Sequence, residues 1–298
     1  MKILYTGSNG LLGQKISAAT TGFSDHAFLA TARGENRTVN LGTASYASMD
    51  ITNTSEVLAV VREFKPDVII HGAAMTHVDQ CEQHKELAYQ LNVEGTKNMV
   101  AGARSVGAHL VHISTDFIFD GTEGPYDENG VPNPLSYYGE TKLEAEKIVQ
   151  ELEHWSILRT VLVIGMAEDL SRSNIVLWAK GALEKKQPIN VVDDQFRTPT
   201  LAEDLAQGAL LAATQKAQGI YNISGPDFMS IYELVGHVAE HFGLSMDAVT
   251  KVDSTTLNQP AKRPPRTGFN ISKAQAELGY VPHSFTEALE VIAQQAGL

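Results

Sequence analysis

The stretch that decides the fold is Lys2-Ile-Leu-Tyr-Thr-Gly7-Ser-Asn-Gly10-Leu-Leu-Gly13, a short apolar run followed by three glycines at fixed spacing. Apolar residues continue at helical spacing as far as Ala19, so the pattern predicts a strand, a glycine turn and a helix. In such a unit Gly7 permits the tight turn, Gly10 lets backbone N–H groups approach a pyrophosphate, and Gly13 lets the helix pack on the strand. The N-terminus of the helix would face the phosphates. The stretch therefore predicts a dinucleotide site, and a plain tight turn is the alternative.

The same strand and helix pattern recurs further along the chain. Residues 27–31 and 109–113 read as strands, and residues 67–70 form an unbroken apolar run that is typical of a strand buried on both faces. Between them an amphipathic helix is predicted to begin at a capping box of Asn53 and Glu56. Strands and helices that alternate at this spacing predict an α/β fold with a parallel, doubly wound, Rossmann-like sheet.

Composition narrows the class of protein. The chain has 298 residues, of which 43% are hydrophobic and 19% charged, so it can bury a large core. Its net charge of -12 argues against a nucleic-acid binder, although a local basic pocket could still hold a small anionic ligand. A single cysteine, Cys81, excludes an intrachain disulfide and fits a reducing compartment. The sequence has no signal-peptide pattern and no run of membrane-spanning length, so we expect a cytoplasmic protein without a membrane partner.

One spacing could indicate a metal site. His77, Cys81 and His84 would put three possible ligands on one helical face. Nothing nearby supplies an orienting fourth ligand, and residues 82–86 read as a solvated face. No metal is therefore predicted.

The end of the second strand bears on cofactor choice. Chains that bind NAD usually carry an acidic residue here for the ribose 2′-hydroxyl, whereas this chain has Arg33, with Arg37 close by. An arginine suits a 2′-phosphate, so NADP(H) is preferred and NAD(H) remains possible; a solvated arginine is the alternative. The adenine is expected near Asp50 and Ile51.

Two further segments follow predicted strands and should border the crevice. The loop His71-Gly-Ala-Ala-Met-Thr76 has small side chains that let a cofactor lie close over the strand end. Hydroxyls of the segment Ser114-Thr-Asp116 would point into the crevice, because ligands bind at the carboxyl ends of parallel strands. Asn92 lies mid-helix, where an amide is not favoured, and is either part of an inward polar relay or exposed on the surface.

Tyr138 and Lys142 are the predicted chemical centre. A helix that begins near Ser136 would place these two residues one turn apart on the same face. An unperturbed phenol has a pKa of roughly 10, and a neighbouring ammonium would lower that pKa and make Tyr138 a usable general acid. The spacing alone is weak evidence, since an ordinary exposed helix face also produces it.

The order of these signals resembles an extended short-chain dehydrogenase/reductase. The segment Ile113-Ser-Thr-Asp-Phe-Ile-Phe-Asp-Gly121, the later Asp194-Gln-Phe and Pro199-Thr200, and Arg263-Pro264 are similar to the dTDP-4-dehydrorhamnose reductase branch over nearly the whole chain. The resemblance implies NAD(P)H-dependent reduction of the 4-keto group of a nucleotide-linked deoxysugar, as in dTDP-rhamnose biosynthesis. It also implies a nucleotide-diphosphate sugar as the substrate and, as an open possibility, a homodimer.

The resemblance also assigns domains and site residues. It implies a dinucleotide-binding domain of residues 1–164 and 189–214, and a smaller, discontinuous α/β substrate domain of residues 165–188 and 215–298. The catalytic triad would be Thr115, Tyr138 and Lys142. The predicted substrate residues are Thr76, Thr115, Asp116, Phe117 and Arg263, the last in a basic island that would fork toward a diphosphate. The predicted cofactor residues are Gly7, Ser8, Asn9, Gly10, Leu11, Leu12, Gly13, Arg33, Asp50, Ile51, Ala73, Ala74, Met75, Asn92, Ser114, Tyr138 and Lys142.

The departures from the family pattern fall on the substrate side. Val161, Leu162 and Ile164 stand where serine, tryptophan and tyrosine are usual, and Arg197 stands where glycine is usual. Gly268 replaces an arginine. Two other functions therefore stay open: a non-catalytic, NADP-binding regulatory subunit similar to the β subunit of methionine adenosyltransferase, and a nucleotide-sugar epimerase or dehydratase.

Overall fold

A parallel sheet of seven strands forms the centre of the protein, as seen in a computed structural model that describes residues 1–168 and 174–297. The strand order is β11-β6-β5-β4-β1-β2-β3, and every neighbouring pair is parallel. The order reverses beside β1, which creates the crevice where such sheets bind ligands. The strands of this sheet are β1 (Lys2–Thr6), β2 (Ala27–Ala32), β3 (Ser45–Ser48), β4 (Val68–His71), β5 (His109–Thr115), β6 (Trp155–Thr160) and β11 (Gly219–Ile223).

Helices cover both faces of the sheet, so the predicted doubly wound α/β class is confirmed. Alternate residues of each strand enter opposite cores: Ile3 and Tyr5 pack on one side and Leu4 on the other, all fully buried. The helices on these two faces are α1 (Leu11–Ala19), α2 (Thr54–Phe64), α5 (Gly95–Val106), α6 (Tyr137–Val149), α8 (Ala202–Gln215) and α10 (Ser272–Leu278).

A second core lies outside the large sheet. It brings together apolar residues from three helices and the short strand pairs around them, including the buried Leu234, Val238 and Leu289. Its helices are α7 (Ile175–Glu184), α9 (Ile231–His241) and α11 (Phe285–Gln295). The strand pairs are β7 (Val163–Ile164) with β10 (Thr200–Leu201), β8 (Ile189–Val192) with β13 (Val249–Val252), and β9 (Phe196–Arg197) with β12 (Met229–Ser230). Two short helices, α3 (Val78–Gln83) and α4 (Lys85–Tyr89), precede a π-helical turn at Gln90–Glu94.

Local sequence explains where the helices begin. Asn53 accepts hydrogen bonds from the N–H groups of Ser55 and Glu56 at the start of α2, and Ser136 accepts one from Gly139 at the start of α6. The predicted start of a helix near Ser136 is therefore confirmed.

The sheet topology differs from the predicted domain boundaries at two places. The strand Gly219–Ile223, assigned to the substrate domain, pairs with β6 in the large sheet, and α10 packs beside it. The strand Ile189–Val192, assigned to the dinucleotide-binding domain, pairs with Val249–Val252 of the second core instead. Where a short strand pairs depends on the path of the whole chain, which local pattern does not contain. Within residues 1–168 and 174–297, no helix is both long and apolar enough to cross a bilayer.

Candidate active site

The glycine turn joins β1 to α1 with very little room around its backbone. Gly7 has φ of +75°, a conformation that glycine adopts without strain. A Cβ at Gly13 would lie 2.4 Å from both the Gly7 oxygen and the Ser8 Cα, and a Cβ at Gly10 would lie 3.3 Å from the Gly7 oxygen. The N-cap residue of α1 is Gly10, which has no side chain to cap the first turn, so the N–H groups of this turn can bind an anion. The turn fits the phosphates of a dinucleotide.

The side chain of Asn9 organises the segment that follows β2. Its amide donates to the Glu35 oxygen at 3.0 Å and its carbonyl accepts from the Arg37 N–H at 2.8 Å. Arg33 lies at the end of β2 and is exposed, with its guanidinium in no ion pair among the described residues. Of the predicted turn residues, Leu11 and Leu12 are half-buried. The Ser8 hydroxyl is buried and has no hydrogen-bond partner within the described ranges.

The two residues predicted near the adenine are held by local contacts. Asp50 Oδ1 accepts from the Thr52 N–H at 2.9 Å and from the Thr52 hydroxyl at 2.8 Å. Ile51 is buried against Gly95, where a Cβ would come within 2.7 Å of Ile51 Cδ1. Asp50 is thus bound within its own turn, Ile51 packs on the first residue of α5, and their position near the adenine stays a prediction.

A buried relay of hydrogen bonds supports the loop after β4. The Thr96 hydroxyl donates its only proton to the Asn92 oxygen at 2.7 Å, so at 3.2 Å it accepts from His71 Nε2. His71 Nδ1 then accepts from the Thr6 hydroxyl at 2.9 Å, and Thr6 Oγ1 accepts from the Ala73 N–H at 3.0 Å. Burial, and secondarily Lys142, lowers the pKa of His71 to about 3, which keeps its ring neutral.

Asn92 clamps the same loop from the π-helical turn. Its carbonyl accepts from the Met75 N–H at 2.7 Å, while its amide donates to the Met75 oxygen at 3.1 Å and to Thr141 Oγ1 at 3.0 Å. Asn92 is 1% exposed, so the inward alternative is correct and the surface alternative is wrong. It positions the half-buried loop of Ala73 to Met75, whereas Thr76 is exposed.

Tyr138 lies in the first turn of α6, against the segment that follows β5. Its ring meets Phe117 edge to face at 5.8 Å, and its hydroxyl interacts with the Thr115 side chain. Burial raises the pKa of the phenol above its ordinary value; the bond with Thr115 lowers it by less, and Asp116 raises it further. Tyr138 is therefore a neutral phenol near pH 7.

Lys142 is buried one turn later, but its nitrogen does not contact the phenol. Lys142 Nζ donates to the Ile113 oxygen at 2.7 Å and to His112 Nε2 at 3.1 Å. Burial lowers the pKa of Lys142 to about 8, although Glu146 partly opposes this. The prediction that Lys142 lowers the pKa of Tyr138 is wrong in this arrangement, because the ammonium is directed toward β5 and burial dominates at the phenol.

Asp116 is held by protein groups. It is 2% exposed and accepts hydrogen bonds from Thr115, at 3.1 Å, and from Thr267. Its Oδ2 lies 3.7 Å from the buried Arg197 Nε. The Asp116 carboxylate is enclosed by protein, and its contact with substrate stays a prediction. Ser114 is also buried, and its hydroxyl has no partner in the part of the chain that the structure describes.

Arg263 is occupied by a carboxylate at the start of α3. Its two terminal nitrogens bind the two oxygens of Asp79 at 3.1 and 2.7 Å, and Asp79 also accepts from the Ala261 N–H at 3.1 Å. The pair is partly exposed, at 19% and 22% of the two side chains. The segment predicted to hold a diphosphate is thus tied to the start of α3, and binding of substrate by Arg263 stays a prediction.

Comparison with known proteins agrees with this architecture. The family described as the RmlD substrate binding domain matches residues 1–297.

The chain belongs to the RmlD family.

Three relatives illustrate the range of proteins that this RmlD-family chain is similar to. A crystal structure of a dTDP-4-dehydrorhamnose reductase from Clostridium acetobutylicum is 31% identical, with a TM-score of 0.87 over 100% of both chains. dTDP-4-dehydrorhamnose reductase from Bacillus anthracis, solved in complex with NADP, is 29% identical, with a TM-score of 0.84 over 99% of both chains. Methionine adenosyltransferase 2 subunit beta from Xenopus laevis is 34% identical over 82% of this chain and 72% of its own length.

The contacts of several site residues in this RmlD-family chain were not predicted from the sequence. His112 holds Lys142, and Asp79 holds Arg263, across 30 and 184 residues of chain. Arg197 had been noted only as a departure from the family pattern. The alternation of the strand 109–113 could have placed His112 on a buried face, but no local signal names its partner.

Proposed function

We propose that the chain is an NAD(P)H-dependent reductase that acts on the 4-keto group of a nucleotide-linked deoxysugar. The observation that carries the proposal is that Tyr138 contacts Thr115 and Lys142 binds the neighbouring Ile113 oxygen, at the carboxyl end of β5 and on the sheet edge that also carries the glycine turn. Adjacent strands of the order β5-β4-β1 end together there. Gly72 lies between α1, which follows the glycine turn, and β5. A Cβ on Gly72 would be 3.5 Å from Leu12 and 3.8 Å from Ile113.

The chain's own groups suit a reduction. Bound along this edge, a nicotinamide cofactor would supply the hydride. Tyr138, kept protonated by burial, donates the proton to the carbonyl oxygen, and Thr115 contacts the Tyr138 hydroxyl. Lys142, fixed at two points on β5, supplies a positive charge beneath the site at neutral pH, because its pKa of about 8 leaves most of the amine protonated. The proposed reaction takes place in the cytoplasm, a location that stays a prediction.

The test follows loss of absorbance of NADPH and NADH with a panel of nucleotide-linked 4-keto-6-deoxy sugars. Tyr138→Phe is expected to abolish turnover and to leave cofactor binding intact, because only the proton donor is removed. Tyr137→Phe is the matched control: Tyr137 is the preceding residue of α6, and its ring packs against Lys85 instead. Normal turnover in Tyr138→Phe would overturn the proposed mechanism.

For the cofactor we propose NADP(H) in preference to NAD(H). The exposed Arg33 at the end of β2 supports this, as does the Bacillus anthracis relative in complex with NADP. Arg33→Ala is expected to weaken NADPH binding roughly tenfold or more and NADH binding little, since a charge-assisted contact to phosphate is worth about 1.5–3 kcal/mol. Equal losses for the two cofactors would contradict this preference. Arg104→Ala, in the last turn of α5, is the control.

A second candidate is a non-catalytic regulatory subunit, which the 34% identity to methionine adenosyltransferase 2 subunit beta favours. The discriminating experiment mixes the chain with a catalytic methionine adenosyltransferase subunit and measures stoichiometry by size-exclusion chromatography. A fixed complex together with no oxidation of NADPH on any sugar of the panel would favour this candidate over the reductase. Tightly retained NAD that no substrate reduces or oxidises in net turnover would instead favour an epimerase or dehydratase.

A further inference from the structure

A buried ion pair lies directly behind the Thr115 hydroxyl. Asp116 Oδ1 accepts the Thr115 proton at 3.1 Å, while Asp116 Oδ2 accepts from the Thr267 hydroxyl and lies 3.7 Å from Arg197 Nε. Burial raises the pKa of Asp116, and Arg197 and the two hydroxyls oppose that rise. Asp116 contacts no open part of the crevice, so its role must pass through one of these partners.

Arg197 is fixed more firmly than an ordinary member of an ion pair. It is 4% exposed, and its terminal nitrogens donate to the Phe196 oxygen at 2.7 Å, to the Pro265 oxygen at 3.2 Å and to the Pro264 oxygen at 2.8 Å. Its guanidinium also lies 5.9 Å from the centre of the Phe117 ring, which in turn packs on Tyr138. The Arg197 guanidinium therefore stays beside Asp116 when the Thr115 hydroxyl rotates.

The Thr115 hydroxyl has one proton and two possible acceptors. Its oxygen already accepts from the Phe117 N–H at 3.3 Å, and its proton points to Asp116. Tyr138 lies on its other side, and its phenolate form would be a second anionic acceptor for the same proton. Besides Asp116, the titratable group that faces the phenol is the Cys81 thiol of α3, whose pKa burial raises to about 11, so it is neutral near pH 7.

We propose that Asp116 and Arg197 form a positioning pair that holds the Thr115 proton while Tyr138 is a phenol and releases it to Tyr138 once the phenol has given up its own proton. The inference rests on the proposed reduction. There the carbonyl gains a hydride at carbon and the Tyr138 proton at oxygen, which leaves a phenolate on α6. The Thr115 O–H bond only rotates, from Asp116 toward Tyr138. Asp116 keeps its charge, which Arg197 and Thr267 continue to stabilise.

The first experiment needs no substrate. Protein labelled with carbon-13 at the tyrosine ζ position reports ionisation of each phenol by NMR, and Tyr138→Phe identifies the Tyr138 signal. In Asp116→Asn the Tyr138 signal is expected to begin its alkaline shift at least about one pH unit earlier than in wild type, a tenfold change in the ionisation constant. Asp204→Asn removes another buried carboxylate, bound to His283, and is expected to leave the signal unchanged. An unchanged onset in Asp116→Asn would overturn the proposal.

The second experiment separates action through Thr115 from a direct effect of charge. It measures kcat/KM for wild type, Asp116→Asn, Thr115→Val and the double variant. If Asp116 acts through Thr115, Asp116→Asn changes kcat/KM when Thr115 is present but has little further effect in the Thr115→Val background. Strictly additive effects would refute the positioning role. Arg197→Lys replaces Asp116→Asn in the same cycle if the asparagine variant does not fold, and the same non-additivity is expected.

The two experiments fail independently. No turnover in wild type, with the Tyr138 signal still sensitive to Asp116, would reject the reductase and keep the link between carboxylate and phenol. Turnover in wild type with an insensitive signal would reject the link and keep the reductase.

Discussion

Replacement of Lys142 by methionine should remove a pH dependence of the unfolding free energy that arises from one buried amine. Lys142 is 3% exposed, and burial lowers the pKa of its amine from 10.5 to about 8. In the unfolded chain the amine regains its ordinary pKa. Near pH 7 the amine is charged in both states, so the folded protein bears the full cost of a buried ammonium. As pH rises through about 8, the folded state loses this proton before the unfolded state does, and the cost disappears.

The magnitude follows from the two pKa values. Their difference, 10.5 − 8, is 2.5 units, or about 3 kcal/mol over the whole range. Between about pH 7 and about pH 9.5 the wild-type protein should gain about 2 kcal/mol of stability from this group. Stability rises with pH over this range, because the unfolded chain binds more protons than the folded one.

The assay is urea unfolding of wild type and Lys142→Met at these two pH values. The difference in unfolding free energy, wild type minus variant, should rise by about 2 kcal/mol toward the higher pH. Lys273→Met is the control, because Lys273 also donates to a backbone carbonyl, Ile220 O at 2.8 Å, but is only half-buried. A difference that stays constant with pH, or one that Lys273→Met reproduces, would refute the reasoning.

Three further predictions test the scaffold of the site. Burial lowers the pKa of His71 to about 3 and that of His109 to about 4. Each histidine should therefore lower the unfolding free energy by about 2 kcal/mol as the pH falls from about 7 to about 5. In acid titrations, His109→Gln should lose less stability over this range than wild type. Gly13→Ala places a methyl group 2.4 Å from backbone atoms, so it should lower stability by about 1–3 kcal/mol and weaken NADPH binding. Gly22→Ala is the control, because its methyl group would have nothing within 4 Å. Thermal melts and binding titrations should show no change for this control. Asn92→Leu leaves buried backbone groups of the loop after β4 unpaired, so it should cost about 2–4 kcal/mol by urea unfolding, and an equal stability to wild type would contradict the clamp.

Local signals in the sequence were sufficient to predict the main elements around the crevice at the sheet edge. The glycine turn, the apolar run 67–70 and the cap at Ser136 each act over a few residues, and all three are found where predicted. The strand Ser45–Ser48 was not predicted, because this edge strand is only partly buried and lacks an apolar run. What joins distant segments could not be predicted in this way.

The partner of Lys142 illustrates the limit most clearly. Helical spacing correctly puts Tyr138 and Lys142 one turn apart, but it cannot tell whether the ammonium turns toward the phenol or toward the strand beneath. His112 and the Ile113 carbonyl decide this, and they become neighbours only when β5 and α6 pack together. A pKa depends on such packing, so its direction at Tyr138 could not be derived from spacing.

The hydrogen bonds from Ala73 through Thr6, His71 and Thr96 to Asn92 all run in one direction, since the single proton of each hydroxyl is already committed. To conduct a proton, such a chain would have to reverse every bond in turn, and His71, with a pKa of about 3, does not take one up near neutrality. This series of hydrogen bonds therefore stabilises the loop after β4 and does not conduct protons. Any proton that Tyr138 gives away must be replaced by some route other than through this part of the core.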